Sequence, residues 1–274
     1  MTLHQRMAVL SVLTLGVALL AACGSEGIMI NEKESVSESG RETVALSGGP
    51  LTLDLTSGVG EITIQAGDDP AQVVVEYVKT AYGQTKDEAR AELAAMTLAI
   101  SQEADAITIN SVQQAHKNQT RANTVDLTIT VPPAVGLRLV NNVGEVQVRG
   151  VQLGEGATLS ADVGRIRLLD VEALGGLKVS SNVGDIVFEG TLGAQGSYEL
   201  TTNVGAVTVR LDGALSARVD AATSVGDVTI EGIALRNVIS TDEGASASVR
   251  GTAGEGEATL TVRANVGEVL IATR

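Results

Sequence analysis

The sequence has no tryptophan, one phenylalanine (Phe188) and three tyrosines (Tyr77, Tyr82 and Tyr198) in 274 residues. Carbohydrate-cleaving sites commonly lay sugar rings against aromatic platforms beside paired carboxylates, so a polysaccharide lyase or hydrolase has little material here. There are two histidines, His4 and His116, and one cysteine, Cys23. A single cysteine excludes an internal disulfide, and two isolated histidines exclude a His-built metal cluster. No nucleophile elbow, phosphate-binding loop or metal-spaced His/Cys pattern occurs, so no catalytic residue, metal or cofactor is expected. Basic residues are also scarce. With 19 Lys and Arg against 33 Asp and Glu, the net charge is −14, which repels nucleic acid.

What is present begins with a leader. Arg6 precedes an apolar run from Met7 to Ala22, which ends in Leu20-Ala21-Ala22-Cys23-Gly24. A short charged stretch, an apolar run and small residues before a cut site define a secretory signal peptide over residues 1–22. The run is too short to cross a bilayer core of about 30 Å comfortably. The residues LAAC resemble the bacterial lipobox, which implies lipid attachment at Cys23, the new N-terminus after cleavage. Several acyl chains give stable anchoring on the outer face of a membrane, at the cell surface or in the periplasm. Cleavage removes one basic residue, Arg6, and no acidic one, so the net charge becomes about −15. Residues 23–42 carry Glu26, Glu32, Glu34 and Glu38 with little apolar content and are expected to form a flexible acidic tether.

The body of the chain repeats. Val-Gly followed by alternating apolar residues occurs first at Val59-Gly60-Glu61-Ile62-Thr63-Ile64. It returns at Val143-Gly144, Val163-Gly164, Val183-Gly184, Val204-Gly205, Val225-Gly226 and Val266-Gly267. From Val143 the steps are 20, 20, 21, 21 and 41 residues, the last being two periods with a degenerate copy expected near Thr241–Gly244. Such a period is too short for a helix-containing α/β unit and fits one coil of a parallel β-solenoid, with coils about 4.8 Å apart. One inward column then reads Val146, Ile166, Ile186, Val207, Val228 and Val269. The next reads Val148, Leu168, Phe188, Val209, Ile230 and Ile271. A second strand in each coil carries Leu139, Leu159, Val179, Leu200, Val219, Ile239 and Leu260.

The turns repeat too. Gly60, Gly144, Gly164, Gly184, Gly205, Gly226 and Gly267 take one position in each coil, which implies positive φ or no room for a Cβ. Two residues before the array glycines stand Asn142, Asp162, Asn182, Asn203, Ser224 and Asn265. These short polar groups bond their own turn or stack as a ladder. Turn chemistry is preferred over calcium binding, because the dense Gly-Asp nonapeptide pattern of calcium solenoids is absent. The position after the glycine reads Glu145, Arg165, Asp185, Ala206, Asp227 and Glu268, a solvated face.

A different segment interrupts the pattern between residues 72 and 133. Gln72–Thr80 reads as a strand. Thr85-Lys86-Asp87-Glu88 is a capping box, with Ala89, Leu93 and Met96 at helical spacing after it, so a helix is expected over about Lys86–Ala95. Strands follow at Thr97–Gln102, Ala106–Val112 and Val125–Val131, and polar Gln113–Asn123, which contains His116, reads as an exposed hairpin loop. The expected organisation is therefore all-β. A signal peptide (1–22) and tether (23–42) lead to an N-terminal β segment (43–136) with the first coil and a strand–helix–strand insertion. A single-domain β-solenoid of about 20 to 21 residues per coil (137–274) completes the chain.

The order of a Gly-turn strand pair, a strand–helix–strand insertion, "TVDLTITVPPAVGLRLVNNVGEVQVRG" and serial xNVGxVxV coils resembles the bacterial putative-adhesin family with toastrack-type β-strand repeats, a family of unknown function. The resemblance covers roughly Val44 to Arg274. Its members carry plain Gly-Asp or Gly-Glu turns, where this sequence has Val-Gly throughout. It implies a surface-located, non-catalytic solenoid that is adhesin-like, a scaffold, or a binder of an envelope protein or extracellular ligand. It offers no catalytic residues to carry over.

Overall fold

A computed structural model describes residues 34–112 and 122–274. The signal peptide, Cys23, most of the tether, and His116 lie outside the described residues.

The first described strand is β1 (Glu34–Ala45), followed by β2 (Thr52–Val59), β3 (Ile62–Ala66) and β4 (Gln72–Gly83). Helix α1 (Lys86–Ala95), β5 (Thr97–Glu103), β6 (Ala106–Val112) and β7 (Thr124–Val131) complete the N-terminal part. The array continues with β8 (Ala134–Val143), β9 (Val146–Arg149), β10 (Gln152–Leu153), β11 (Ala157–Val163), β12 (Ile166–Ala173), β13 (Leu177–Val183) and β14 (Ile186–Leu192). Next are β15 (Ser197–Val204), β16 (Val207–Leu211), β17 (Ala217–Val225) and β18 (Val228–Glu231). The last four are β19 (Leu235–Glu243), β20 (Ser246–Ala253), β21 (Ala258–Val266) and β22 (Val269–Thr273).

Each coil crosses from one face, sheet B, through the Val-Gly turn to a second face, sheet A. Parallel pairing joins coil to coil on both faces, as in β11–β13–β15 and β12–β14–β16. Alternate residues of each strand point into the space between the sheets, where Ile166, Leu168, Ile186, Phe188, Val207 and Val209 are fully buried. Each such side chain contributes about 1.5–3 kcal/mol relative to exposure, so the repeated columns hold the stack together.

The coils do not stack in chain order. β2 lies between β6 and β8, and β3 lies between β7 and β9, so the second coil sits outside the first. At the other end β21 lies between β15 and β17, and β22 between β16 and β18. The first inward column therefore runs Leu127, Ile62, Val146, Ile166, Ile186, Val207, Val269, Val228. On the sheet B face, Leu200 is in register with Val262, while Leu260 pairs with Tyr198 and Val219. The expected sheet B column is thus displaced by two residues at Leu260.

Three further expectations need correction. Residues 34–42 are not tether but part of β1, which pairs antiparallel with β4 over its whole length. Its polar sequence fits an edge strand, which among the described residues pairs with β4 alone. The degenerate copy near Thr241–Gly244 is no coil. β19 and β20 form an antiparallel hairpin on β17, and Ile239 is 68 % exposed instead of filling the column. Asn123 does not lie in an exposed hairpin loop. It is buried, accepts from Tyr82 N (3.0 Å) and donates to Glu92 Oε2 (3.2 Å) on α1.

Helix α1 starts at the cap Thr85, whose Oγ1 accepts from Glu88 N (3.2 Å). Glu88 Oε2 reaches back to Gln84 N (2.7 Å), one residue before the cap. The helix buries Ala89 and packs on β4 and β1.

Candidate functional site

The Val-Gly corner is the one feature present in nearly every coil. Gly164 and Gly184 have φ of 148° and 152°, a region closed to residues with a Cβ. A Cβ built on Gly144 would meet Gly60 O, one on Gly164 would meet Gly144 O, and one on Gly184 would meet Gly164 O, each 2.0 Å away. The column continues through Gly205, Gly267 and Gly226, in the stacking order and not the chain order. Close coil spacing and backbone conformation both demand glycine there.

Inside the corner lies a buried polar row that reasoning from the sequence missed. Ser181 Oγ donates to Gly164 O (3.3 Å), Thr202 Oγ1 to Gly184 O (2.9 Å) and Thr223 Oγ1 to Gly267 O (2.8 Å). Asn141 Nδ2 serves Gly60 O (3.2 Å) and Gly144 O (3.1 Å). These bonds satisfy turn carbonyls that would otherwise be buried unpaired. The signal in the sequence is a small polar residue three places before the glycine.

Outside the corner the expected amide positions form a ladder over four coils. Asn182 Nδ2 donates to Asp162 Oδ1 (3.0 Å), Asn203 Nδ2 to Asn182 Oδ1 (3.0 Å) and Asn265 Nδ2 to Asn203 Oδ1 (2.9 Å). Asn142 and Ser224 flank its two ends, and no side-chain bond joins them to it among the described residues. The ladder groups are directed at one another. Among the described residues no set of three or more His, Cys, Asp or Glu is arranged to hold a metal ion.

Next to the ladder runs a row of exposed valines. Val143, Val163, Val183, Val204, Val266 and Val225 are in register and each is 41–49 % exposed. At one coil per step this ridge is about 25 Å long. On its far side is the charged column, where Arg165 pairs with Asp185 (3.2 Å) and Asp185 Oδ1 also accepts from Ala206 N (3.0 Å). The intercalated last coil puts Glu268 between Ala206 and Asp227.

Two tyrosines are engaged within the fold. Tyr198 is fully buried, and its hydroxyl lies within hydrogen-bond reach of the carbonyls of Ala173, Gly193 and Gln195 at 3.1, 3.1 and 2.9 Å. Burial raises its pKa, and the bond to Gly193 opposes this in part. Tyr77 lies against Gly40 of β1, with Lys79 Nζ 5.4 Å from its ring centre and Glu38 Oε1 3.6 Å from that ammonium. Burial first, then the charges of Glu38 and Glu42, raise the Tyr77 pKa. Two carboxylates beside a tyrosine are part of what a glycosidase needs, but Gly40 occupies the ring and Lys79 the first carboxylate. The outer surface carries shallow depressions. One of about 300 Å³ is lined by Leu51, Val135, Leu153 and Glu155, and one of about 260 Å³ by Asp227, Glu231 and Glu268. Neither includes a tyrosine. No helix among the described residues is long and apolar enough to cross a membrane.

Comparison with known proteins places this architecture. No curated protein matches the chain significantly. A crystal structure of a putative cell adhesion protein from Clostridium sporogenes is 16% identical and covers 87% of this chain and 100% of its own, with a TM-score of 0.51. That likeness supports a common fold. A putative adhesin from Bacteroides fragilis is 14% identical over 86% of this chain and 97% of its own, but its TM-score of 0.35 adds nothing to the assignment. The profile of the Toastrack DUF4097 family matches residues 51–272, from the start of the first coil to the end of the last. The chain belongs to the Toastrack DUF4097 family.

Proposed function

We propose that this chain is a non-catalytic, adhesin-like protein of the cell envelope, anchored through lipid on Cys23 and binding an envelope protein or extracellular ligand with the corner face of its solenoid. The observation that carries this reading is the valine ridge. Leaving half of each of six in-register valines in water forgoes burial energy, and apolar rows of this kind mark interaction surfaces. The ridge stands on backbone-bonded coils beside a hydrogen-bonded amide row, so a partner would meet a preorganised surface and little ordering would be lost on binding. The names given to the structural neighbours and the lipobox-like LAAC agree with a surface location.

The test joins anchoring to binding. Detergent partitioning of cells expressing Cys23→Ser should move the protein from the membrane to the soluble fraction, and unchanged partitioning removes the anchor. Beads carrying the purified chain would be washed over immobilised matrix proteins and polysaccharides. Retention should fall at least ten-fold in a Val163→Thr, Val183→Thr, Val204→Thr variant that melts within a few degrees of the parent. Equal retention of the two discards the ridge as the contact, and shortening of a polysaccharide would instead favour a lyase or hydrolase.

A further inference from the structure

The two ends of the stack are finished differently. At the N-terminal end sheet A runs on past the last coil through β4 and β1, sheet B adds only β5, and α1 covers the overhang. At the C-terminal end the offset is reversed. Sheet B runs on through β20 and β19, whereas sheet A stops at β18, whose only hydrogen-bonded strand neighbour among the described residues is β22. No helix or strand among the described residues covers this second overhang.

The backbone shows what is missing. Ile166 N donates to Asp185 O, Ile186 N to Ala206 O, Val207 N to Glu268 O and Val269 N to Asp227 O, each at 2.9 Å. The same step would require an acceptor for Val228 N, and the parity of the ladder turns the N–H and C=O of Val228 and Ile230 to this open edge. The hairpin tip closes only the corner, where Gly226 N reaches Ala245 O (3.0 Å). The side chains agree. Val228 and Ile230 are half-buried, while their register partners Val269 and Ile271 are 1 % and 0 % exposed. Ile233 and Leu235 are also only partly buried, and Val238 is exposed.

We propose that β18 and the overhanging β19–β20 hairpin form an acceptor for an extended segment of a partner protein, which adds as the next strand of sheet A. Main-chain bonds would supply affinity and alternate apolar side chains would fill the unfinished columns. The charge around the slot selects the remaining side chains. Asp227 and Glu231 on β18 and Asp242 and Glu243 on β19 have no ion-pair partner among the described residues. The nearby arginines are engaged, Arg250 with Asp220 (3.3 Å) and Arg236 with the carbonyl of Gly254. The incoming strand therefore alternates apolar residues with Lys or Arg. A second copy of this chain is disfavoured, since two β18 edges would bring Asp227 and Glu231 against the same carboxylates.

The test uses the full-length chain and the synthetic peptide KVKIKVK. Amide hydrogen exchange at Val228 and Ile230 should slow at least ten-fold with the peptide. The scrambled KKVVKIK, the alternating acidic EVEIEVE and the Pro-containing KVKPKVK should leave it unchanged. Proline tolerates an edge position with an outward N–H, so Ile230→Pro should fold and lose the response. Asp227→Lys with Glu231→Lys, which leaves the apolar columns intact, should weaken it at least ten-fold. Equal protection by the scrambled peptide, protection confined to other residues, or slowing at Val228 and Ile230 that rises with protein concentration alone overturns the proposal. The ridge and Cys23 play no part in this readout, so its failure is separate from that of the proposed function.

Discussion

Replacing Gly184 with alanine probes the corner most directly. The new Cβ would lie 2.0 Å from Gly164 O, and a real contact needs at least 3.0 Å, so the coils must separate there by about 1 Å. The bonds Gly164 N→Val183 O (2.8 Å) and Ile166 N→Asp185 O (2.9 Å) cross this junction. Stretching both by that amount takes them out of hydrogen-bonding range, at about 1 kcal/mol each. Holding alanine at φ near 152° adds about 1–3 kcal/mol of strain. The expected loss is about 3–5 kcal/mol, measured by urea unfolding, with a fall in melting temperature on the order of 10 °C. Gly156 supplies the control. Its φ is +69° and a Cβ there meets nothing within 4 Å, so Gly156→Ala should cost only about 1 kcal/mol of backbone strain. If Gly184→Ala cost no more than Gly156→Ala, coil spacing would not be the reason for the glycine column.

Phe188 is the largest residue of its sheet A column and is fully buried between Leu168 and Val209, so Phe188→Ala should cost about 3–5 kcal/mol in the same assay. A loss under about 1 kcal/mol would mean that the column repacks around the hole. Tyr77 and Tyr198 both have pKa values raised by burial above the usual 10.0. A phenol with a raised folded-state pKa adds stability that is complete below its unfolded pKa and disappears as pH climbs through the folded value. Denaturant midpoints should therefore stay level up to about pH 10 and then fall, with tyrosinate absorbance lagging in the folded chain. Tyrosinate absorbance that rises together in folded and urea-unfolded protein would refute this.

The period, the sheet A columns, the glycine column and α1 were readable, because each rests on a local pattern: alternation, a turn that only glycine permits, and a capping residue. The order of the coils was not. Val207, Val228 and Val269 are equally good neighbours, and every coil presents the same edge, so the sequence carries no mark that puts Val269 between the other two. The 41-residue gap fits two periods as well as it fits a hairpin, and only the exposed Ile239 separates them. β1 was hidden for a different reason. It lies at an edge of sheet A, and Glu-Ser-Val-Ser-Glu-Ser shows none of the apolar alternation expected of a core strand. At the candidate site the valine row was visible as sequence, but its outward direction follows from the corner geometry, since Val183 precedes a glycine that turns the chain inward.

The intercalated last coil has a consequence for biogenesis. Synthesis delivers β17 and β18 before β21 and β22, yet the later pair belongs deeper in the stack. Until residues 258–273 arrive, β16 has its partner β14 but lacks its second neighbour β22, and premature docking of β18 onto that edge would close the gap one layer too soon. Residues 235–253, which pair as a hairpin with β17, separate the early pair from the late one along the chain. A nascent chain stalled before Ala258 would then be a trapped, protease-sensitive intermediate and not merely a shorter rod.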